Sequence, residues 1–114
     1  MVVARVAHKI PDRRPLQVAV GEAVEIGERS AQWPAFVFVT TRTGSGWVPA
    51  RHLSAASGSA VVREAYDTTE LPTRVGDRLE VVVEDRESGW LWCRGGDGRE
   101  GWVPIDTVDR PSPS

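Results

Sequence analysis

Few side chains in this sequence could carry out catalysis or hold a metal ion. There are two histidines, His8 and His52, and one cysteine, Cys93. A hydrolase needs a nucleophile beside a base or a pair of carboxylates in a cleft, and a metal site needs several converging ligands. No motif surrounds either histidine, and a free cysteine is usually a core residue. The sequence therefore predicts a protein that is not an enzyme and has no cofactor, and stoichiometric zinc in the purified protein would contradict this.

The aromatic residues are better candidates for a functional site, because tryptophan is common in binding surfaces as well as in cores. Five tryptophans occur among 114 residues, and two of them lie in the segment WLWC at residues 90–93. Side chains alternate between the faces of a strand, so Trp90 and Trp92 share one face and Leu91 and Cys93 the other. If Cys93 lies in the core, the tryptophans point outward. They then form either a ligand platform or a surface on which two parts of the chain pack.

The charged residues are unevenly distributed along the chain. Residues 1–55 contain seven Lys and Arg against four Asp and Glu, a net charge of +3, whereas residues 56–114 contain seven against twelve, a net charge of −5. An acidic half argues against a nucleic-acid interface, which normally carries a basic face. The acidic cluster of the second half is either a solvated face or a site for a basic ligand. The basic residues Lys9, Arg13 and Arg14 suggest a contact with that cluster, including self-association.

An internal repeat organises these side chains. Residues 16–27 read LQVAVGEAVEIG and residues 71–82 read LPTRVGDRLEVV, and GWVP recurs at residues 46–49 and 101–104, both with an offset of 55. Between these matches, FVFV at 36–39 corresponds to WLWC at 90–93 with an offset of 54. Neighbouring loops therefore differ by one residue, a length change that loops tolerate. The pattern predicts two copies of one small domain.

The predicted boundaries follow the composition. Residues 1–54 form the first domain, residues 55–59 a linker within the small, polar segment SAASGS, and residues 60–109 the second domain. So short a linker keeps the two domains in contact. The final residues 110–114, RPSPS, are predicted to be a disordered tail.

Both copies have the pattern of short strands. In residues 78–83 the side chains of Leu79, Val81 and Val83 alternate with the others, which places them on one predicted face. Glycine-rich turns follow FVFV and WLWC, as in hairpins, and no helical periodicity extends over ten residues. Gly21 and Gly76 each precede an acid and a strand, where the backbone must turn with a positive φ. The predicted fold class is all-β, with two tandem small barrels packed against each other.

The composition predicts a folded protein, and the lack of a membrane span or secretory signal in the sequence predicts that it lies in the cytoplasm. Hydrophobic residues make up 40% of the chain and charged residues 26%. No apolar run reaches the roughly 18 residues of a membrane span, and the first residues lack the apolar core of a secretory signal.

The order of motifs in the second copy resembles a Src homology 3 (SH3) domain. The acidic segment before Leu71 is followed by the turn Gly76-Asp77, an apolar strand, Gly89-Trp90, and the sequence GWVP at 101–104. The first copy is similar but more divergent. The resemblance covers nearly the whole chain, and the tandem arrangement is similar to that of bacterial variant domains of this type.

The resemblance implies a groove of aromatic side chains that binds an extended, proline-containing peptide. Trp90 and Pro104 stand where the family has its groove tryptophan and proline, and Thr107 replaces a tyrosine for which Tyr66 compensates in part. The implied peptide-binding residues of the second barrel are Trp90, Pro104, Tyr66, Asp67, Glu70, Glu84, Glu87 and Trp92. Their counterparts in the first barrel are Phe36, Pro49 and His52.

The sequence thus predicts a non-enzymatic module that binds an extended basic peptide on its second barrel. Its expected partner is a protein or peptide, with no nucleic acid and no membrane involved. Two alternatives stay open at this point: a structural or self-association domain without a groove, and a small barrel that binds single-stranded nucleic acid on its aromatic platform.

Overall fold

The computed structural model describes residues 1–10 and 14–109. Within these residues the chain is all-β, as predicted, with two one-turn 3₁₀ helices. In chain order the strands are β1 (Val2–Ala4), β2 (Gln17–Val18), β3 (Ala23–Arg29), β4 (Phe36–Thr40), β5 (Ser45–Pro49), β6 (Gly58–Val61), β7 (Tyr66–Asp67), β8 (Arg78–Asp85), β9 (Trp90–Arg94), β10 (Glu100–Pro104) and β11 (Val108–Asp109). The 3₁₀ turns are η1 (Ala50–His52) and η2 (Ile105–Thr107). The predicted tail, residues 110–114, lies outside the described residues.

The chain divides into two compact units. One, called here the split unit, consists of residues 1–10 together with residues 69–109. The other, the continuous unit, consists of residues 14–68. These groupings follow contacts in space, whereas the domain boundaries 1–54, 55–59 and 60–109 follow the sequence repeat and stay a prediction.

The split unit is built on one five-stranded antiparallel sheet. The strand order is β10-β9-β8-β1-β11, so β1 lies between two strands from the far end of the sequence. Val2 is opposite Leu79 on β8, and Ala4 is opposite Val108 on β11. The core below this sheet consists of Val2, Leu71, Leu79, Leu91, Cys93 and Val103. The prediction that Cys93 is a core residue is confirmed.

The continuous unit repeats this arrangement with strands of its own. A four-stranded sheet has the order β5-β4-β3-β6, and β2 and β7 form a separate pair. Ala60 on β6 is opposite Val24 on β3, and Val62 forms an isolated bridge with Leu53. The buried valines Val37, Val39 and Val48 lie on β4 and β5 and give the sheet its inner face. Neither sheet closes on itself within the described residues, so the two tandem barrels stay a prediction.

Comparison of the two registers shows that the repeats exchange their first strands. Val3 is opposite Arg78, and Val61 is opposite Ala23, which is the repeat equivalent of Arg78. Residues 2–4 therefore hold the same place in the split unit as residues 60–62 hold in the continuous unit. Thus β1, which precedes the first copy of the sequence repeat, lies against the strands of the second copy.

Two details of the strand predictions are resolved by the structure. Gly21 and Gly76 have φ values of +88° and +93°, which confirms the turns predicted at both positions. The prediction that Val83 lies on the same face as Leu79 and Val81 is wrong. A β-bulge between Val81 and Val83 places Val83 opposite Trp92, and 49% of Val83 is exposed.

Candidate functional site

The centre of the predicted site is a cross-strand pair in the split unit. Trp90 at the start of β9 is directly opposite Pro104 at the end of β10. Both are buried, and only 9% of the Trp90 surface is exposed. Strand alternation correctly puts Trp90 on the face opposite Leu91 and Cys93, but that face is not open at this point. The ring of His8 covers it, with 5.6 Å between the ring centroids and an interplanar angle of 72°.

His8 is fixed over Trp90 by its backbone and its side chain. Its amide nitrogen donates to the Thr73 carbonyl and its carbonyl accepts from the Thr73 amide, both at 3.1 Å. Its imidazole Nε2 lies 2.9 Å from Oε1 of Glu70. The segment that carries His8 therefore forms one wall of the site, and Glu70 is the polar partner that orients the ring.

On the side of β9 away from Pro104, acidic side chains lie at the end of β8 and in the turn that follows it. Asp85 is opposite Trp90 in the β8–β9 ladder, and Glu84 is opposite Leu91. Asp85 closes the turn, because its carboxylate accepts from the Ser88 amide and its carbonyl from the Gly89 amide. Glu84 forms an ion pair with Arg86, and Glu87 is exposed at the tip of the loop. Asp85 is thus the acid directly beside Trp90, while Glu84 is beside Leu91 and Glu87 lies in the turn that joins β8 to β9.

Tyr66 and Asp67, which the family resemblance groups with Trp90, belong instead to the continuous unit. The Tyr66 ring contacts Phe36 at 6.4 Å and His52 at 5.1 Å between centroids, both edge to face. Asp67 accepts a hydrogen bond from the Gln17 side chain at 3.0 Å. The structure therefore brings Tyr66 together with the first-barrel residues Phe36, Pro49 and His52, since Pro49 is directly opposite Phe36.

His8 is the site residue that the sequence reasoning missed. It forms a bridge with Thr73, while Tyr66 is paired with Val18, which is the repeat equivalent of Thr73. His8 and Tyr66 thus occupy equivalent places in the two units. A signal was present in the sequence: VVARVAHK at 2–9 aligns with AVVREAYD at 60–67, with one valine, one arginine and one alanine identical and His8 over Tyr66.

Trp92, also predicted to contact a ligand, belongs to a second aromatic pair of the split unit. Its ring meets Trp102 edge to face at 5.2 Å, and its Nε1 donates to Glu100 at 2.7 Å. This hydrogen bond, together with the one from Arg94, lowers the pKa of the Glu100 carboxyl below its ordinary value. Phe38 and Trp47 form the corresponding pair of the continuous unit, at 5.1 Å. Trp47 and Trp102 are both half-buried.

The described residues also bear on metal binding and membrane insertion. Among them, no group of three or more His, Cys, Asp and Glu side chains is arranged to hold a metal ion. His8 and His52 lie in different units. Of the basic residues near His8, Lys9 is exposed, while Arg13 lies outside the described residues. No helix in the described part of the chain is long and apolar enough to cross a membrane.

Comparison with known families identifies part of the chain. Residues 62–109 match the model of the variant SH3 domain. No curated protein and no solved structure matched the chain. The matched stretch begins in the continuous unit and extends through the strands of the split unit that carry Trp90 and Pro104. Domains of this type are in general non-catalytic modules of protein interaction. The chain therefore contains an SH3-like domain, which the family model locates at residues 62–109.

Proposed function

We propose that the chain is a non-enzymatic protein-interaction module whose split unit binds an extended, basic peptide. The ligand lies over the 9% of the Trp90 surface that stays exposed, between the wall that carries His8 and the acidic loop at residues 84–87. The observation that carries this proposal is the juxtaposition of a cross-strand tryptophan and proline with Asp85 directly opposite the tryptophan. We also propose that both units have the SH3-like fold, because their strand registers correspond residue by residue.

The charge of the loop favours a basic ligand over other peptides. Glu84 and Glu87 are exposed, and a lysine or arginine of the ligand would form charge-assisted hydrogen bonds with them. The carboxylates of Glu70 and Glu84 are already bonded to His8 and Arg86, so a cation of the ligand must compete with these partners. A peptide in the polyproline conformation suits such a groove because its backbone is extended before it binds, which lowers the entropic cost.

The affinity should be modest. A groove this small lets the peptide bury little area, and Trp90 contributes only the 9% of its surface that is exposed. We expect a dissociation constant on the order of 10 μM, about −7 kcal/mol. Truncation of Trp90 to alanine would test folding as much as binding, because removing a buried aromatic ring costs about 3–5 kcal/mol of stability. Charge variants are the sharper test.

The experiment is a fluorescence anisotropy titration with a labelled decapeptide of alternating proline and arginine. The double variant Glu84→Gln with Glu87→Gln should weaken binding about tenfold, the equivalent of about 1.4 kcal/mol. The matched control is Glu25→Gln with Glu28→Gln, which makes the same change in net charge on β3 of the continuous unit. Equal losses in the two double variants, or no saturable binding below about 1 mM, would refute the proposal.

A labelled oligothymidylate in the same assay tests the alternative of single-stranded nucleic acid. Nucleic-acid binding weakens steeply with salt, because counterions are released from the phosphates. If the oligonucleotide binds more tightly than the peptide at physiological salt, the aromatic surface serves a nucleic acid, and the peptide proposal fails.

A further inference from the structure

We propose that the split unit accepts β1 from a second copy of this chain, so that two chains exchange residues 1–10 and form a dimer. The relevant site is the β1 slot, defined as the space between β8 and β11 that β1 occupies. This inference concerns assembly, and it is independent of the peptide-binding proposal above.

The β1 slot is a well-formed binding site for a short apolar strand. β1 is paired on both sides, with β8 and with β11. Val2 and Ala4 are each only 1% exposed, and Val2 is part of the core of the unit. Backbone hydrogen bonds fix the register: Ala4 N to Asp77 O at 2.9 Å, Gly76 N to Ala4 O at 2.7 Å, and Arg5 N to Thr107 O at 2.9 Å.

The equivalent slot of the continuous unit contains a different strand in the same geometry. There the bonds are Val62 N to Glu22 O at 2.9 Å, Gly21 N to Val62 O at 2.8 Å, and Arg63 N to His52 O at 2.6 Å. The side chains that enter are those of Ala60 and Val62 in place of Val2 and Ala4. Each slot therefore binds a strand in one fixed register, with two small apolar side chains pointing inward. Which copy of the sequence repeat a strand comes from does not determine which slot it enters.

The two slots differ in how their strands are attached. Residues 60–62 reach their slot through a local reversal: Ser54 N donates to Val61 O, and Leu53 pairs with Val62. β1 is separated in sequence from the rest of its own unit by the whole of residues 14–68. No short connection within the described residues holds β1 in its slot, so β1 of another chain competes with it on equal contacts.

The protein concentration at which this exchange occurs depends on how the chain joins β1 to its own slot. A strand joined to its own slot competes at an effective concentration on the order of 1 mM. A second copy makes identical contacts, so it fills the slot to a comparable extent only when the protein itself approaches about 1 mM. Reciprocal exchange uses both slots and leaves no open end, which gives a closed dimer with twofold symmetry.

The test uses cysteine pairs at facing positions of the strands. Val3→Cys with Arg78→Cys reports on the β1 slot, because these residues are directly opposite each other. Ala23→Cys with Val61→Cys is the matched control at the equivalent position of the continuous unit. Facing residues of antiparallel strands lie about 4.5–5.5 Å apart, within the range of a disulfide. Arg78, Ala23 and Val61 are exposed and Val3 is half-buried, so the substitutions leave the core intact.

Each variant is refolded under reducing conditions at about 10 μM and about 1 mM, oxidised, denatured, and separated on a non-reducing gel. We expect the β1 pair to give cross-linked monomer at the low concentration and a cross-linked dimer of roughly half the material at the high one. The control pair should give cross-linked monomer at both. Wild-type protein, with buried Cys93 alone, shows the background of nonspecific dimer.

The outcomes separate the possible occupants of the slot. The proposal is overturned if the β1 pair gives only cross-linked monomer at about 1 mM. It is also overturned if the control pair gives an equal fraction of dimer. A third variant, Val61→Cys with Arg78→Cys, forms a disulfide only when residues 60–62, in place of β1, occupy the β1 slot. If this pair forms cross-linked monomer in place of the β1 dimer, the exchange stays within one chain and the proposal is wrong. If the proposal is right, two forms of the Val3→Cys, Arg78→Cys variant that carry tags of different mass should give a mixed dimer when they are refolded together.

Discussion

Replacing Gly101 with alanine should strongly destabilise the split unit, although the equivalent change at Gly46 should be tolerated. A Cβ atom on Gly101 would lie 2.7 Å from the Glu70 carbonyl carbon and 2.7 Å from the Leu71 amide nitrogen. Both are backbone atoms, which cannot rotate away. At Gly46 the nearest atom is the Thr68 methyl group at 3.4 Å, the edge of ordinary van der Waals contact.

The loss of stability in Gly101→Ala can be estimated from the backbone segment that the new Cβ atom displaces. Relief of the clash at Gly101 requires the segment at residues 70–71 to retreat by about 0.7 Å, to reach an ordinary contact of 3.4 Å. Two hydrogen bonds anchor that segment: Leu71 N to Trp102 O at 3.0 Å, and Trp102 N to Thr69 O at 2.9 Å. Each contributes about 1 kcal/mol net. With about 1 kcal/mol of further strain from overpacking, the expected loss is about 3 kcal/mol.

Gly46→Ala should lie within about 1 kcal/mol of wild type. Alanine reduces the entropy of the unfolded chain, which stabilises the protein by about 0.4–1 kcal/mol and offsets a small adjustment of the Thr68 methyl. Urea denaturation followed by tryptophan fluorescence and circular dichroism gives both values, and thermal melts should show Gly101→Ala about 10 °C or more below wild type. Equal stability of the two variants, or a Gly101→Ala protein within about 0.5 kcal/mol of wild type, the range of an ordinary surface substitution, would refute the reasoning.

Two further predictions concern single residues of the split unit. The pKa of Glu100 is lowered because Trp92 and Arg94 donate hydrogen bonds to its carboxylate. The ionised carboxylate therefore stabilises the fold at pH values above its ordinary pKa of 4.5. This stabilisation is lost as the pH falls through the lowered pKa. Wild type should therefore lose more stability than Glu100→Gln between about pH 5 and pH 2, measured by urea titration at each pH. Gly76 has a φ of +93°, so Gly76→Ala should cost about 1 kcal/mol, whereas Gly96→Ala, with open space around its Cβ, should be nearly neutral in the same melts.

Much of the local structure followed from the sequence because local structure depends on short-range patterns. The segments WLWC and FVFV, each followed by a glycine-rich turn, predicted the strands β9 and β4, and the usual burial of a free cysteine placed Cys93 in the core. Gly21 and Gly76 marked the turns with positive φ. The repeat of GWVP predicted the equivalent hairpins, in which Pro104 is opposite Trp90 and Pro49 is opposite Phe36.

The composition of the site could not be read from the same patterns. Alternation tells which face of a strand a tryptophan occupies, but it does not tell what covers that face, and here the cover is His8 from a distant segment. The bulge that turns Val83 outward is equally invisible, since residues 81–83 are three consecutive valines and the sequence does not tell which of them leaves the alternation. Both features depend on contacts between segments far apart in the chain.

The strand exchange explains why Tyr66 was assigned to the wrong neighbours. The first strands of the two repeats have nearly the same apolar composition, and each slot binds them in the same backbone register. The pattern of either strand therefore fits both slots, and only the connections decide between them. Residues 60–62 are joined to the continuous unit by a short reversal after Leu53, which carries Tyr66 to Phe36 and His52.

The same exchange changes the chemistry beside Trp90. Within its own repeat the tryptophan would have had Tyr66 and Asp67 as neighbours, an aromatic hydroxyl and an acid. The exchanged segment supplies His8 and Lys9 instead, and His8 takes Glu70 as its partner. A basic ligand at Trp90 consequently depends on the loop acids Glu84 and Glu87. In the proposed site, Glu70 can serve the ligand only after it gives up the imidazole, as Glu84 must give up Arg86, so the choice of first strand sets the partner of Glu70.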